Sequence, residues 1–420
     1  MTCQEFYQYF IRPLLLTSYL LVVVCGYSQE KTEQTEEQNL TQSIRAGAFI
    51  FDARLRYWYA KQDDLRASNA YTFGTNFGYL TKSYKGFQVY LEGESVVAIN
   101  PNIFFDGVND QTDRTVVTDV ETLELNKARV SYSDTLNETI LEIKVGRQAA
   151  IVEDERFIGN VTARQDDQTF DAAMLKVLND QKGISFEYAY MYKINRLLAE
   201  VGDWRSDSHA FRLGFSKNNM VRVGLFAHLL DFQEDAPGKS NQTYGITLDR
   251  AELPQDRTAL TYKVALAYQT EYGDNPIAYD AYLINAEMGI SLPKIGTFNI
   301  GYELATSDDG VASYQFPLST GQRLHRISDV FIDPPADGLH NPYVTAEFQQ
   351  IIWGIGGWLG YHVYFSEEES TQLAQEIDVV LYRPLIPGLL RAELTYSSFF
   401  AEEIRYSDLG IFALDIVVEL

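Results

Sequence analysis

Residues 184–195 read Ile-Ser-Phe-Glu-Tyr-Ala-Tyr-Met-Tyr-Lys-Ile-Asn, and this stretch decides the fold. Successive side chains of a β-strand point to opposite faces, so one face of the stretch carries only apolar and aromatic side chains. The other face carries Ser185, Glu187, Lys193 and Asn195, together with Ala189 and Met191. A soluble β-sandwich would bury the apolar face against a second sheet, whereas a transmembrane barrel turns it to lipid and keeps a polar interior.

Similar alternating stretches recur from residue 44 to residue 420, and they form about eighteen strand candidates. The connections between them alternate in length. Short ones include residues 134–137 and 291–294, and long ones include residues 100–117, 148–167 and 307–341. Short turns at one end and long loops at the other are the arrangement of outer-membrane barrels. The sequence therefore predicts an all-β fold, a transmembrane antiparallel β-barrel of about 18 strands, with 16 as the alternative.

The chain of 420 residues is acidic and rich in aromatic side chains, with a formal net charge of -24, 28 Tyr and 24 Phe. The acidic balance argues against a nucleic-acid partner, because phosphate contacts need a basic face. The aromatic residues suit the girdles of lipid-facing strands. The soluble alternative, a set of β-sandwiches or a propeller, would need repeats of fixed period or domain linkers, and the sequence shows neither.

The first residues are expected to be a leader. Arg12 precedes an apolar run that is too short for a spanning helix, and small residues follow at 26 and 28, so residues 1–28 are interpreted as a signal peptide. A lipid anchor at Cys25 is the alternative. Residues 29–43 are predicted to be a flexible periplasmic tail, and residues 44–420 the outer-membrane barrel. Both cysteines lie in the leader, so the barrel is expected to have no thiol chemistry.

Specific motifs surround the fifth predicted strand. Gly146-Arg147-Gln148 is followed by Arg156-Phe157-Ile158-Gly159-Asn160, by Arg164-Gln165 and by Gln168-Thr169-Phe170-Asp171. Two further motifs are Arg54-Leu55-Arg56-Tyr57 and Phe331-Ile332-Asp333-Pro334-Pro335 with Gly338-Leu339. On these residues the chain resembles the alginate-export family of outer-membrane porins over most of residues 44–420.

The resemblance implies a monomeric barrel of eighteen strands in the bacterial outer membrane, which passes an anionic polysaccharide or another small polar solute. Outer-membrane lipid and the barrel-assembly machinery are then the expected partners, and no cofactor is expected. One position departs from the family, because Ala163 stands where relatives carry an aromatic residue before the Arg-Gln pair.

Basic residues on the predicted inward faces and in the long loop after strand five are candidates for contact with solute. In a water-filled lumen the positions of charges set selectivity, and arginine pairs well with carboxylates. The candidates are Arg54, Arg56, Lys144, Arg147, Arg156, Arg164, Arg212, Arg222 and Arg391. For each of them, the alternative is an ion pair that only holds the wall or a loop together.

The sharpest candidate site is the cluster of Arg147, Arg156 and Arg164 with Asp171, because the loop over residues 148–167 is long enough to fold into the barrel and narrow it. Gln148, Gln165 and Asp171 are expected to anchor this loop. A second candidate gate is the loop over residues 307–341, which includes positive charge at Arg323, His325 and Arg326.

Other chemistry finds weaker support in the sequence. Asp106, Asn109, Asp110 and Asp113 are candidates for weak calcium binding, although their spacing lacks the final Glu of an EF-hand loop. No HExxH or GxSxG motif is present, so no enzyme and no metal centre are predicted. The predicted function is passive diffusion of a polar, anionic saccharide or small solute. The alternative is a plugged barrel that acts as a surface structural or adhesion protein.

Overall fold

The structure is a computed structural model that describes residues 39–420 except 154, 218–219, 251–252, 255 and 321–326. The predicted signal peptide lies outside the described residues, as do most of the predicted tail and Arg323, His325 and Arg326, so these assignments stay predictions. The barrel belongs to a unit over residues 43–420. A short helix, α1, covers Leu40–Arg45 at the end of the predicted tail. Among the described residues no helix is long and apolar enough to cross a membrane.

Eighteen antiparallel strands form one sheet that closes on itself. Each strand pairs with its neighbours in the chain, and β1 pairs with β18 from Asp52 opposite Glu419 to Gln62 opposite Leu409. Closure leaves no unpaired edge, as the hydrocarbon core requires. The prediction of eighteen strands is confirmed. Their bounds are β1 Ala48–Gln62, β2 Ser68–Leu80, β3 Phe87–Ala98, β4 Thr122–Leu136, β5 Thr139–Gln148, β6 Thr169–Asn179, β7 Ile184–Asn195, β8 Trp204–Lys217, β9 Val221–Leu230, β10 Asn241–Asp249, β11 Ala259–Glu271, β12 Asp280–Leu292, β13 Gly296–Ala305, β14 Leu339–Ile352, β15 Ile355–Phe365, β16 Gln372–Ile386, β17 Leu390–Ala401 and β18 Leu409–Glu419.

Exposed and buried side chains alternate along β1 as the sequence pattern predicts, whereas in β7 the alternation breaks at a register shift between Met191 and Lys193, and Ile194, expected on the lipid face, is buried. In β1, Phe49 and Leu55 are exposed on the outer face, whereas Arg56 and Trp58 are buried on the inner face. Large apolar side chains on the outside and polar ones on the inside are the arrangement of a barrel in lipid. The apolar face of each strand is therefore the lipid-facing surface.

Both short turns named above differ from the structure in their bounds. The one predicted at residues 291–294 is the connection over residues 293–295 between β12 and β13. Strand β4 continues to Leu136, and the connection to β5 is Asn137-Glu138 rather than residues 134–137. Both turn residues have positive φ, 46° and 68°, which is the backbone of the two-residue hairpin turns that match strand twist. Because Asn tolerates this conformation, the strands extend to the very end of the hairpin.

Three long connections from one end of the barrel fold into its interior. We call them loop A (residues 99–121), loop B (residues 149–168) and loop C (residues 306–338). Loops B and C pack apolar side chains against each other and against the inner wall. Members of this buried cluster are Phe157, Ile158, Phe316, Leu318 and Phe331. The lumen is thus narrowed by protein from the long-loop end.

The lipid-facing assignment can be tested on β10. Ile246 lies near the middle of this strand and is 41% exposed. We expect Ile246→Arg to lower the free energy of unfolding in phospholipid vesicles by about 2–4 kcal/mol, because it places a charge near the bilayer midplane. Urea unfolding measures this change. The control Ile404→Arg, at a side chain that is 101% exposed in the β17–β18 connection, should change it by less than about 0.5 kcal/mol. Equal effects of the two substitutions would contradict the assignment.

Candidate functional site

Loop B crosses the lumen from one wall to the other. At its start, Glu153 accepts hydrogen bonds from Arg212 on β8 at 2.5 Å and from Thr247 on β10 at 2.7 Å. Near its end, the Gln165 amide donates to the Thr72 hydroxyl on β2 at 3.0 Å. In a ring of eighteen strands β10 stands opposite β1, so these contacts span the width of the barrel. The predicted inward fold of this loop agrees with the structure.

Two arginines of β1 hold the backbone of loop B. Arg54 donates to the carbonyl oxygen of Arg164 at 2.8 Å, and Arg56 donates to that of Ala163 at 2.8 Å. Arg56 also makes two bonds to Asp415 on β18, at 2.8 and 2.9 Å. These acceptors suit the fixed fork of the guanidinium. Ala163 thus contributes through its carbonyl group, and the contact does not depend on the side chain at this departing position.

Asp119 of loop A joins the same network, and the sequence analysis missed it. Its carboxylate is buried and lies 3.5 Å from the Arg56 guanidinium. It accepts hydrogen bonds from the Thr72 hydroxyl at 2.9 Å and from the Gln165 backbone N–H at 3.4 Å. Loop A, loop B and the β1–β2 wall therefore meet at one carboxylate. No pattern in the surrounding acidic stretch distinguishes this aspartate from its neighbours.

Loops B and C are joined by two further arginines. Arg156 is buried, forms an ion pair with Glu303 on β13 and lies 4.1 Å from the ring centre of Phe316. Arg164 forms an ion pair with Asp329 of loop C at 2.7 Å. Because these arginines and their partners are largely removed from water, we interpret their contacts as ones that hold the loops in place.

The predicted anchors lie at the two ends of loop B. Arg147 and Asp171 are cross-strand neighbours on β5 and β6 and form an ion pair at 2.7 Å. The Gln148 amide donates to the Ala172 carbonyl oxygen at 3.1 Å. The structure therefore places Arg147, Gln148 and Asp171 on the wall from which the loop departs.

The glycine of the Arg156–Asn160 motif permits close approach of the loops. The Gly159 N–H donates to the Leu318 carbonyl oxygen of loop C at 2.9 Å. A Cβ atom at residue 159 would overlap the Thr320 hydroxyl and would lie 2.8 Å from the Glu155 carbonyl oxygen. A side chain at residue 159 would therefore collide with the Thr320 side chain of loop C and with the backbone of loop B itself.

The Phe331–Pro335 motif holds loop C to the wall. The Phe331 ring packs against Tyr364, Phe399 and Tyr406, with ring centres 4.6, 5.6 and 5.0 Å away. The motif thus anchors loop C through aromatic packing.

Tyr314 lies in the same loop and is buried. Burial raises the pKa of Tyr314 well above its usual range, so its hydroxyl stays neutral.

A cavity of about 1110 Å³ lies below loop B and reaches the short β6–β7 turn. Ile151 and Glu153 of loop B line it, and the remaining lining comes from the inner wall and from the β6–β7 and β10–β11 connections. The charged side chains around it are Glu153, Lys176, Asp180, Glu187, Arg212, Arg222, Asp249, Arg250, Lys263 and Glu287.

Two ion pairs in this cavity present their cations to it. Arg222 is 47% exposed, whereas its partner Asp249, at 2.9 Å, is 15% exposed. Lys176 is 45% exposed, whereas Glu187, at 3.6 Å, is 18% exposed. In each pair the positive group is the more accessible member.

The remaining predicted residues are distributed around the inner wall. A smaller cavity of about 270 Å³ reaches Arg54 and Arg164, and another of about 260 Å³ reaches Arg56. Lys144 pairs with Glu142 at 3.0 Å, and Arg391 lies 3.6 Å from Glu393. Lys144, Arg147, Arg156 and Arg391 line none of these three cavities.

The Arg156–Glu303 pair should stabilise the packed loops. We expect Arg156→Gln to lower the free energy of unfolding by about 3–5 kcal/mol, because it removes the ion pair from a buried carboxylate. Urea unfolding in vesicles measures this change. The double substitution Arg156→Gln with Glu303→Gln should recover more than half of the loss.

The matched control is Arg205→Gln, which removes an exposed pair with Asp235. Its cost should stay below about 1 kcal/mol. A loss for Arg156→Gln as small as that of the control, or no recovery in the double variant, would contradict the stabilising role.

Comparison with known families and structures points to outer-membrane channels. The family model described as alginate export matches residues 38–324. No curated protein matches the chain in sequence.

Among solved structures, the chain is similar to OccAB4 of Acinetobacter baumannii, with 14% identity, a TM-score of 0.67, and coverage of 91% of this chain and 100% of that chain. It is similar to OccD3 (OpdP) of Pseudomonas aeruginosa, with 12% identity, a TM-score of 0.66, and coverage of 90% and 92%. It is also similar to Pseudomonas aeruginosa OpdK, solved with vanillate, with 13% identity, a TM-score of 0.65, and coverage of 89% and 98%. At these identities the likeness concerns the fold.

Proposed function

Because the chain belongs to the alginate export family of outer-membrane porins, we propose that it passes a polar, anionic saccharide or small solute by passive diffusion through a lumen that presents basic side chains. The family and the structural neighbours are transport channels rather than enzymes. The observation that carries the choice of an anion is the cavity of about 1110 Å³, whose ion pairs expose their cations.

The charge arrangement supports an anionic solute although the whole chain is acidic. In the cavity, the charged groups of Arg222 and Lys176 are more accessible to a carboxylate than Asp249 and Glu187 are to a cation. Arg222 suits this role because a guanidinium can bind a carboxylate with two parallel hydrogen bonds. Local geometry, rather than net charge, sets the preference of a pore.

Loops A, B and C would then form the narrow part of the path. Arg54, Arg56 and Arg164 lie where loop B meets the β1 wall, and cavities reach all three of them. All three anchor loop B. Arg54 and Arg164 remain candidates for solute contact at the constriction, whereas Arg56 is only 3% exposed and acts as an anchor.

A second candidate function is a plugged barrel with a structural or adhesive role at the surface. The apolar packing of Phe157 and Ile158 against Phe316 and Leu318 favours this alternative, because such packing resists opening. The two candidates differ in whether ions cross the barrel.

Conductance in planar bilayers separates the two candidates. We expect discrete open steps for the folded protein, and Gly159→Val should enlarge them at least about twofold because the side chain forces loops B and C apart. The control is Gly238→Val, at a position where an added Cβ meets nothing within 4 Å, and it should leave the steps unchanged. Folded protein that shows no steps would favour the plugged barrel.

Selectivity can be tested at Arg222. In a salt gradient we expect the reversal potential of the wild type to indicate anion preference, and Arg222→Glu should shift it toward cations because the exposed charge of the cavity changes sign. Arg66→Glu, which reverses an exposed charge in the β1–β2 connection, is the control and should have little effect. Liposome swelling with neutral, acidic and basic sugars then ranks solutes. Cation preference of the wild type that Arg222→Glu leaves unchanged would reject the basic path.

A further inference from the structure

Three acidic side chains converge on the inner wall where loop B ends. Glu94 belongs to β3, Glu124 to β4 and Asp166 to loop B, and one carboxylate oxygen of each lies within 4.8 Å of the others. This is the one group of metal-ligating side chains with such spacing that occurs among the described residues. The predicted calcium candidates in residues 106–113 are not part of it.

Two of these carboxylates are buried without any protein donor. Glu94 is 1% exposed and Asp166 is 0% exposed, and all four of their carboxylate oxygens lack a hydrogen-bond partner. Buried polar atoms in native proteins are almost always paired, because burial without a partner costs free energy. Four unpaired oxygens at one place are available as ligands for a positive species.

Strand pairing makes the cluster costly in the absence of such a species. Glu94 and Glu124 are directly opposite each other in the β3–β4 register and face the same side of the wall. Like charges at directly opposed positions destabilise a sheet, and Asp166 adds a third carboxylate between the wall and loop B. The strand register thus fixes the positions of the repelling carboxylates, and a cation bound between them would offset their repulsion.

The nearby protein cations are already engaged elsewhere. Lys127 lies 2.7 Å from Glu92 and 3.0 Å from Asp167, and Arg147 lies 2.7 Å from Asp171. Asn126, two residues after Glu124, is buried and its side-chain carbonyl oxygen accepts no hydrogen bond. The surroundings thus supply oxygen acceptors in excess of donors.

We propose that Glu94, Glu124 and Asp166 bind one Ca²⁺ ion, which fastens the end of loop B to the β3–β4 wall. Calcium takes six to eight oxygen ligands at about 2.3–2.6 Å, so oxygens on opposite sides of the ion are separated by about 4.6–5.2 Å. The observed limit of 4.8 Å fits that geometry. Three carboxylates from three separate segments supply the charge, and water or neighbouring side chains complete the shell.

The cluster lies at the junction where loop B ends and meets the wall. Asp166 directly follows Gln165, which bonds to Thr72, and directly precedes Asp167, which pairs with Lys127. On protein groups alone, burial and the charges of Glu124 and Asp167 raise the pKa of Asp166 to about 8. A divalent ion would hold this carboxylate in its charged form and lock the junction.

Calcium binding by the full chain, folded in detergent and freed of metal with EDTA, tests the proposal. We expect equilibrium dialysis with radiolabelled Ca²⁺ to show about one ion bound per chain, and Ca²⁺ to raise the midpoint of thermal unfolding. Glu94→Gln with Asp166→Asn should lower the affinity at least about tenfold, because calcium affinity follows the number of charged ligands. The same variant should lose the calcium-dependent rise in the midpoint.

The matched control replaces the acids of the other candidate loop, Asp106→Asn with Asp113→Asn. Asp106 accepts backbone N–H groups and Asp113 pairs with Arg66 at 2.8 Å, so calcium binding should be unchanged. Far-UV circular dichroism verifies that each variant is folded, and Glu124→Gln alone serves if the double variant is not. Absence of saturable binding to the wild type, binding that survives in the folded variants of the cluster, or loss in the control would overturn the proposal. The first of these results would assign the cluster to carboxyl groups that share protons.

Discussion

The hydrogen bonds that pair the first strand with the last are the constraint on which the rest of this structure depends. A strand in hydrocarbon has no water to satisfy its backbone, so the sheet must return to its own beginning. The β1–β18 ladder accomplishes this from Asp52 to Gln62. Once the ring is closed, the outer face of each strand meets lipid, and the inner face encloses the space that the polar side chains and the loops share. The alternation, the inner charges and the space that the loops occupy all follow from that closure.

The interior charges serve two purposes, and the structure separates them by burial. Arg56 and Arg156 are enclosed by acceptors, by acids and by an aromatic ring, and they hold loops in place. Arg222 and Lys176 sit at the surface of the large cavity with their acidic partners behind them. A sequence pattern places Arg56, Lys176 and Arg222 on polar strand faces and Arg156 in a long loop, but it carries no information about which of the four a loop will cover. Exposure, rather than residue type, therefore divides loop anchors from candidates for solute contact.

The fold was predictable to a large extent because its rule is local. The stretch over residues 184–195 alternates so regularly that β7 has the predicted bounds. The position of the Asn137-Glu138 turn was less predictable, because the overlapping segment over residues 134–137 is also short and polar. The partners of loop B were not predictable. Asp119 and Asp329 lie 46 and 165 positions from the residues they bind in that loop, and only the closed ring brings them together. The inward direction of the loop could be inferred from its length, but its partners could not.

Loop B has a mechanical consequence as well as a chemical one. A closed ring of strands is stiff along its ladders but soft against flattening, because neighbouring strands can tilt about their hydrogen bonds. A strut fastened at Glu153 to β8 and β10, and at Gln165 to β2, joins opposite sides of the ring. Lateral pressure from the bilayer that would flatten the barrel must then stretch or compress this strut. The segment that narrows the opening therefore also resists flattening of the barrel.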